Sequence, residues 1–188
     1  GVEDPRITFL EDEFLITYSA YSRHGVRIAL AKTKDWKTVE RYSLITQADY
    51  RNVVIFPGKF NGLYARLDRP HSEISPWSIW ISFSPDLRYW GDARLIMKPV
   101  PYHWDEMKIG PGAPPIKTEK GWLSIYSPIS YRQYEGALSW GLGFRIGPAT
   151  IGSGSILTNL ISKNSRSIDA YLGFQIPLYR KGVKGSQK

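Results

Sequence analysis

Apolar and polar residues alternate with a period of two along most of the chain, which predicts β-strands separated by short turns. Three segments share one order: a proline, a turn with Gly or acidic residues, and an alternating apolar run. They begin at Pro5, Pro57 and Pro115, and each is predicted to form a hairpin. A strand followed by an Asp turn and a Trp recurs at Asp35 and Asp86. The repeats therefore predict about four short strands per 50-odd residues.

Four antiparallel strands per repeat is the unit of a β-propeller, so we expect an all-β chain that forms a partial propeller. The alternative is a β-sandwich with coincidental spacing. At this period 188 residues supply fewer than the roughly four blades that closure needs. We expect residues 1–126 to form a partial propeller domain that lacks its N-terminal blade. The proline-hairpin pattern then stops, which predicts a divergent or frame-altered segment with a basic tail over 127–188.

The net charge of +8 is concentrated in the C-terminal third of the chain. Residues 1–125 carry a net charge of +2, and residues 126–188 carry +6. This distribution gives no basic face in the first two thirds, so we expect no nucleic-acid partner. No apolar run approaches the roughly 18 residues of a membrane helix, and we expect no membrane partner. The chain has no Cys, and its three His residues lack metal-site spacing, so we expect no metal.

Charged residues at the repeat junctions are the first candidates for chemistry, because propellers carry function on loops at one end of the channel. Asp4 precedes Pro5, which should hold its backbone extended. Its carboxylate suits a general acid or a ligand of sugar hydroxyls, and the alternative is a turn cap. Arg51 abuts an apolar strand and could bind phosphate or carboxylate through two N–H groups. The alternative for Arg51 is an ion pair with Asp49.

Two further cations lie beside rigid segments. Arg69 precedes Pro70, and its alternative is a surface salt bridge with Asp68. Lys108 precedes a Gly/Pro loop that lacks the known phosphate-loop motifs, and its alternative is an ordinary surface position. We expect Asp4 and the three cations to occupy equivalent junctions of successive repeats. An acid beside three cations suits an anionic nucleophile and a leaving group that needs a proton.

Six motifs, in this order along residues 1–126, resemble those of glycoside hydrolase family 130, the mannoside phosphorylases and related enzymes. The motifs are Glu3-Asp4-Pro5-Arg6-Ile7-Thr8, Arg51-Asn52 ahead of Phe56-Pro57-Gly58, Arg69-Pro70, Ser84-Pro85-Asp86-Leu87, Lys108-Ile109-Gly110-Pro111-Gly112, and Gly121-Trp122-Leu123. The family fold is a five-bladed β-propeller, which agrees with the repeats. After the last motif the family usually has a phosphate-contacting His, and this chain has Ser127-Pro128 instead.

The resemblance implies a role for each matching residue. Asp4 corresponds to the proton donor. The phosphate-binding residues implied are Arg51, Arg69 and Lys108. The substrate-binding residues implied are Glu3, Arg6 and Asn52.

The implied reaction is inverting phosphorolysis of terminal β-mannosides, of the β-1,4-mannooligosaccharide or mannosyl-N-acetylglucosamine type, to α-mannose 1-phosphate. The partners would be a β-mannoside oligosaccharide and phosphate. No cofactor is expected, with inorganic phosphate as co-substrate, and self-association into a homo-oligomer is left open. The phosphate requirement and the lack of a leader suggest a cytoplasmic location. The alternatives are a β-mannoside hydrolase of the same family and a non-catalytic carbohydrate-binding propeller fragment.

Overall fold

The computed structural model describes residues 1–71, 76–101, 106–119, 121–126, 129–132, 137–146, 149–161 and 169–174, and nearly all of its regular elements are strands. Two four-stranded antiparallel sheets follow one another along the chain, each with its strands in sequence order. The first sheet contains β1 (Val2–Leu10), β2 (Glu13–Ser22), β3 (Gly25–Thr33) and β4 (Glu40–Leu44). The second contains β5 (Tyr50–Phe60), β6 (Leu63–Pro70), β7 (Ile79–Ser84) and β8 (Gly91–Met97).

A third sheet and a separate hairpin follow. Their elements are β9 (Ile116–Thr118), β10 (Gly121–Tyr126), β11 (Ile129–Arg132), β12 (Ala137–Trp140), β13 (Leu142–Ile146), β14 (Ala149–Ser153), α1 (Ile156–Ile161) and β15 (Tyr171–Phe174). The third sheet has the order β15-β14-β13-β10-β9, and β11 pairs only with β12 among the described strands. The four-stranded repeat unit is therefore confirmed in the first two sheets.

The predicted hairpins form around two-residue turns. The β1–β2 turn is Glu11-Asp12, with φ of 53° and 60°, and the β5–β6 turn is Asn61-Gly62, with φ of 49° and 83°. Positive φ at both central residues matches the right-handed twist of the flanking strands, which is why Asn-Gly favours such a turn. Both hairpins are confirmed, and β9 pairs with β10 as the third.

The Asp turns recur as predicted, but the tryptophans that follow them are not equivalent. Oδ1 of Asp35 and Oδ1 of Asp86 each accept hydrogen bonds from the backbone N–H groups two and three residues later, all at 2.9 Å. The residue after each Asp has a left-handed backbone, with φ of 61° at Trp36 and 65° at Leu87. Trp36 therefore corresponds to Leu87, and Trp90 lies three positions further along its own turn.

Strand β5, the first strand of the second sheet, is buried between the first and third sheets. Val53 and Ile55 join an apolar cluster with the first sheet, whereas Val54 and Phe56 join one that includes Trp122 of β10. This two-sided burial explains the continuous apolar run in the sequence. Two threonine hydroxyls of the first sheet donate hydrogen bonds to carbonyls of Val53 and Ile55. Successive four-stranded sheets packed face to face confirm the partial propeller.

The third sheet runs across residue 126, where we expected the propeller domain to end. Tyr126 of β10 pairs with Gly143 of β13, so strands from both sides of the boundary share one sheet. The division at residue 126 stays a prediction, and residues 175–188 of the basic tail lie outside the described part. No helix in the described part of the chain has the length and apolarity of a membrane span.

Candidate functional site

Two β-bulges place the first polar side chains of the site. Pairing shifts between Glu3 and Arg6 in β1, and between Arg51 and Val54 in β5. Asp4 and Asn52 lie within these bulges, and both have a φ of 55°. The expected extended backbone at Asp4 is therefore wrong: the bulge holds it in the left-handed region, which Asp and Asn tolerate better than most residues. Asp4 and Asn52 are thus equivalent positions of two blades.

The sequence suggested that the three cations come from equivalent junctions of successive repeats, and the structure shows a different arrangement. Arg51 of β5 and Arg69 of β6 are cross-strand partners within one blade. Such partners lie side by side on one face of a sheet. In the first blade, the position equivalent to Arg51 is occupied by Glu3. Two neighbouring strands of one blade therefore bring the arginines together.

The paired arginines line an open cavity of about 250 Å³. Its wall consists of Asp49, Arg51, Arg69, His71 and Trp77. The guanidinium of Arg51 lies 5.5 Å from the ring centre of Tyr21, and its Nη1 donates to the Tyr50 carbonyl at 3.4 Å. Among the described residues, no ion pair joins Arg51 to Asp49.

The guanidinium of Arg69 is largely withdrawn from solvent. Asp68 forms its ion pair with Arg66 instead of Arg69. The buried Nε of Arg69 has no hydrogen-bond partner within the described part of the chain. Burial, together with the positive charges of Arg51 and Arg6, lowers the pKa of Arg69 to about 10, against the opposing effect of Asp4. Arg69 is still cationic at neutral pH, so the cavity contains a charge with few compensating contacts.

Lys108 lies on a segment that is anchored beside the cavity. Ile109 is 1% exposed and packs in the core, and its N–H donates to the Trp77 carbonyl at 2.9 Å. The exposed Lys108 points away from that core, with Nζ 5.6 Å from the Trp77 ring centre. A methyl group at Gly110 would lie 3.0 Å from Nη1 of Arg69, so this backbone approaches the guanidinium closely.

Asp4 belongs to a second group of charges beside the cavity. Its Oδ2 lies 2.7 Å from Nη1 of Arg6, and Nε of Arg6 donates to the Gly112 carbonyl at 2.9 Å. The Asp4 side chain is 45% exposed and that of Arg6 only 13%, so a buried cation holds an accessible carboxylate. Glu3 accepts a hydrogen bond from the Tyr21 hydroxyl, which raises the pKa of Tyr21.

Of the predicted site residues, the structure places Arg51 and Arg69 in the cavity wall, whereas the others are not part of that wall. Arg51 and Arg69 line the cavity, and Asn52 faces the same Gly110 backbone as Arg69. Lys108 and Arg69 both lie near the ring of Trp77, a residue of the cavity wall, with Nζ of Lys108 at 5.6 Å and the guanidinium of Arg69 at 5.1 Å from the ring centre. Arg6 links Asp4 to the segment that contains Gly112.

Sequence reasoning gave no role to His71 or Trp77, although both line the cavity. Their rings meet edge to face at 4.7 Å between centres. His71 follows Arg69 by two positions, so strand alternation was the signal that could have placed both on one face. Ser127 and Pro128, which replace the usual family His, lie outside the described residues. The described part contains no cluster of three potential metal-ligating side chains.

Comparison with known proteins identifies close relatives. The chain is 42% identical over 127 residues to a beta-1,2-mannobiose phosphorylase of Listeria innocua, a match that covers 67% of this chain and 36% of the relative. It is 40% identical over 128 residues to a beta-1,4-mannooligosaccharide phosphorylase of Ruminococcus albus, covering 67% and 38%. The chain thus spans well under half the length of these curated relatives.

A solved structure and a family profile agree with these matches. The structure of the Listeria innocua beta-1,2-mannobiose phosphorylase with beta-1,2-mannobiose aligns with a TM-score of 0.68 at 39% identity, over 76% of this chain and 40% of that one. The profile described as beta-1,4-mannooligosaccharide phosphorylase matches residues 1–135. With the four-stranded blades and the clustered motif residues, these matches show that the chain belongs to glycoside hydrolase family 130.

Proposed function

We propose that the protein catalyses the phosphorolysis of terminal β-mannosides. The observation that carries the proposal is the pair of neighbouring arginines, Arg51 and Arg69, in the wall of one open cavity. Two adjacent guanidinium groups repel each other, and Arg69 is largely buried, with no hydrogen-bond partner for its Nε among the described residues. A phosphate dianion would compensate both charges and accept hydrogen bonds from the N–H groups of both guanidinium groups. An electrically neutral ligand would leave the repulsion in place.

The proposed reaction uses the acid and the cations on two sides of the sugar. A phosphate oxygen held by Arg51 and Arg69 attacks the anomeric carbon, and the bond between that carbon and the glycosidic oxygen breaks. The leaving oxygen takes up a proton that Asp4 supplies. Attack from the face opposite the leaving group inverts the configuration and gives α-mannose 1-phosphate. The cations orient the phosphate and offset its charge, so they supply proximity and electrostatic stabilisation together.

The neighbouring residues have supporting roles in this proposal. Arg6 holds Asp4 in position, and Asn52 and Glu3 contact the sugar. Lys108 has a long side chain beside Trp77, so it can bring a third positive charge to the bound phosphate. His71 lies in the cavity wall, where an imidazole N–H can donate to a phosphate oxygen. Inorganic phosphate is the co-substrate, and no further cofactor is part of the proposal.

The decisive experiment is to incubate the purified protein with mannobiose in the presence and absence of phosphate. We expect α-mannose 1-phosphate to form only with phosphate, and parallel assays of β-1,4-mannobiose, β-1,2-mannobiose and mannosyl-N-acetylglucosamine would identify the linkage and acceptor. We propose the β-1,4-mannosyl type as substrate. Free mannose released without phosphate would contradict the proposal and indicate a hydrolase. Saturable sugar binding without turnover would indicate a non-catalytic carbohydrate-binding protein.

A further prediction concerns phosphate and thermal stability. At about 100 times its dissociation constant, phosphate should stabilise the native state by ~2.7 kcal/mol, which for a chain of this size raises Tm by about 5–11 °C. We expect Arg69→Ala to lose most of this increase, because it removes the buried cation. The measurement is thermal unfolding in phosphate and in chloride at equal ionic strength.

The matched control for this prediction is Arg27→Ala. Arg27 is an exposed arginine of β3, outside the cavity. It should keep the full increase in Tm, including the part that comes from the general exclusion of phosphate from protein surfaces. An equal phosphate effect in the Arg69 and Arg27 variants would show that the cavity does not bind phosphate.

A further inference from the structure

A second cavity, of about 300 Å³, lies behind the arginine cavity. Arg69 and His71 line the first cavity, whereas Asp68 and Pro70 line the second. Successive side chains of a strand point to opposite faces, so the two cavities lie on opposite sides of the same β6 segment. The second cavity does not use the residues proposed for phosphate binding or proton transfer.

A buried ion pair belongs to the wall of this second cavity. Arg66 is 4% exposed and Asp68 3%. Nε of Arg66 donates to Oδ2 of Asp68 at 2.9 Å and to the Ser82 hydroxyl at 3.0 Å, and its Nη1 donates to the Ile45 carbonyl. The Ser82 hydroxyl also donates to Oδ2 of Asp68, at 2.9 Å. The guanidinium is therefore well supplied with acceptors, and its charge is balanced within the wall.

The carboxylate of Asp68 has unused hydrogen-bonding capacity. Within the described part of the chain, the hydrogen bonds that reach Asp68 all end at Oδ2, which leaves Oδ1 without a partner. Burial raises the pKa of Asp68, although Arg66 acts in the opposite direction. Asp68 lines the open cavity, so a ligand hydroxyl can reach Oδ1, and a ligand without a donor at this position would leave the oxygen desolvated and unpaired.

Aromatic rings form much of the remaining wall. Trp80, Trp90 and Tyr50 all line the cavity and are partly buried. Arg66 lies 4.5 Å from the Trp90 ring centre, so that ring helps to hold the ion pair. Trp80 is directly opposite Asp68 in the pairing of β6 with β7. An apolar ring and a hydrogen-bonding carboxylate are therefore neighbours on one face.

We infer that this second cavity is a carbohydrate-binding subsite that accepts one neutral pyranose ring, stacked on Trp80 with a hydroxyl donating to Oδ1 of Asp68. A pyranose has an apolar C–H face and an edge of hydroxyl groups, which matches the arrangement of Trp80 and Asp68. The volume is sufficient for one ring and its substituents. The subsite is separate from the proposed phosphorolysis and does not depend on it.

Other classes of ligand fit this cavity less well. An anion would meet the carboxylate of Asp68, and Nε and Nη1 of Arg66 already donate to protein acceptors. A cation would be repelled by Arg66, and a purely apolar molecule would leave Oδ1 of Asp68 dry and unpaired. A flat heterocycle such as adenosine could stack on Trp80, so the test includes it as a competing probe.

The test follows the indole N–H resonances of the protein by NMR during titration with β-1,4-mannobiose. The resonances are assigned with single Trp→Phe variants. In phosphate-free buffer, where phosphorolysis cannot consume the disaccharide, we expect a saturable shift of the Trp80 resonance. Binding only at the phosphate cavity would instead shift Trp77, and this result would overturn the inference while leaving the proposed function intact. A shift of Trp80 with adenosine but not with mannobiose would also overturn it.

Variants provide an independent check. Trp80→Ala should weaken mannobiose binding at this subsite about tenfold, because it removes the stacking ring. Trp36→Ala is the matched control, since Trp36 is a half-exposed tryptophan of the first blade, outside this cavity. The affinity of Trp36→Ala for mannobiose should equal that of the unmodified protein. If Trp80→Ala does not fold, the titration of the unmodified protein still decides between the outcomes. Equal affinity in folded Trp80→Ala and Trp36→Ala would contradict the inference.

Discussion

Asp4→Asn is expected to lower the rate of phosphorolysis by about 10²–10⁴-fold, the range that a general acid contributes. The asparagine amide has nearly the size of the carboxylate but cannot supply the proton that the glycosidic oxygen takes up. Asn also tolerates the left-handed backbone with φ of 55° that the bulge imposes. Sugar binding should change little, so the loss should appear in kcat and not in KM. Steady-state kinetics of α-mannose 1-phosphate formation measure both parameters.

The control for Asp4→Asn is the same substitution at Asp12. Asp12 has a similar φ of 60° but lies in the β1–β2 turn at the opposite end of the strand. Asp12→Asn therefore tests the backbone effect of the substitution without touching the proposed acid. We expect it to retain full activity. Unchanged kcat in Asp4→Asn would refute the role of Asp4, and an equal loss in both variants would attribute the effect to general destabilisation.

The second large effect is expected for stability, at the buried ion pair of β6. Asp68→Ala should lower the free energy of unfolding by ~3–5 kcal/mol, because it leaves the Arg66 guanidinium buried without its counter-charge. Burial already lowers the pKa of Arg66, against the effect of Asp68, so the charged form depends on this partner. Urea denaturation at neutral pH gives the free energy of unfolding.

Asp92→Asn is the control for this loss, because Asn removes the charge and tolerates the left-handed backbone with φ of 48° at this position. Asp92 pairs with Arg94 at 2.6 Å and is also two residues from its arginine on a strand, but both side chains are about 60% exposed. Exposed pairs contribute at most ~1 kcal/mol, since water solvates either charge when its partner is removed. Comparable losses in the two variants would show that the Arg66–Asp68 pair is not energetically different from a surface pair.

The hairpins and the Asp turns could be predicted from sequence because their signals are local. Two-residue turns such as Asn61-Gly62 and period-two alternation are visible within about ten residues of chain. The conformation of Leu87 could not be predicted, because its signal is not local. A branched apolar side chain does not indicate a left-handed backbone with a φ of 65°. In this case the Asp86 hydrogen bonds and tertiary packing determine the backbone.

Two residues of the candidate cavity, Arg51 and Arg69, could be predicted from the sequence, but not the way in which the cavity is built. The motifs identified Arg51 and Arg69, yet sequence spacing assigned them to successive repeats, because 18 positions separate them and strand pairing is not visible in a single sequence. Their pairing depends on the register of β5 with β6, which a bulge alters. His71 was missed because its role depends on its face of the strand. The linkage and acceptor of the sugar depend on contacts that the motifs do not encode.

The alternation of β6 between two cavities has a consequence for sequence change in this segment. Substitutions at Arg69 or Asp68 affect one cavity at a time, but deletion or insertion of a single residue before them would exchange their faces. The Asp68 carboxylate would then enter the first cavity, beside Arg51. Arg69 would be directed into the second cavity, toward Trp80 and Trp90. In relatives that preserve both cavities, this segment should therefore tolerate side-chain substitutions more readily than any change in the length of the strand.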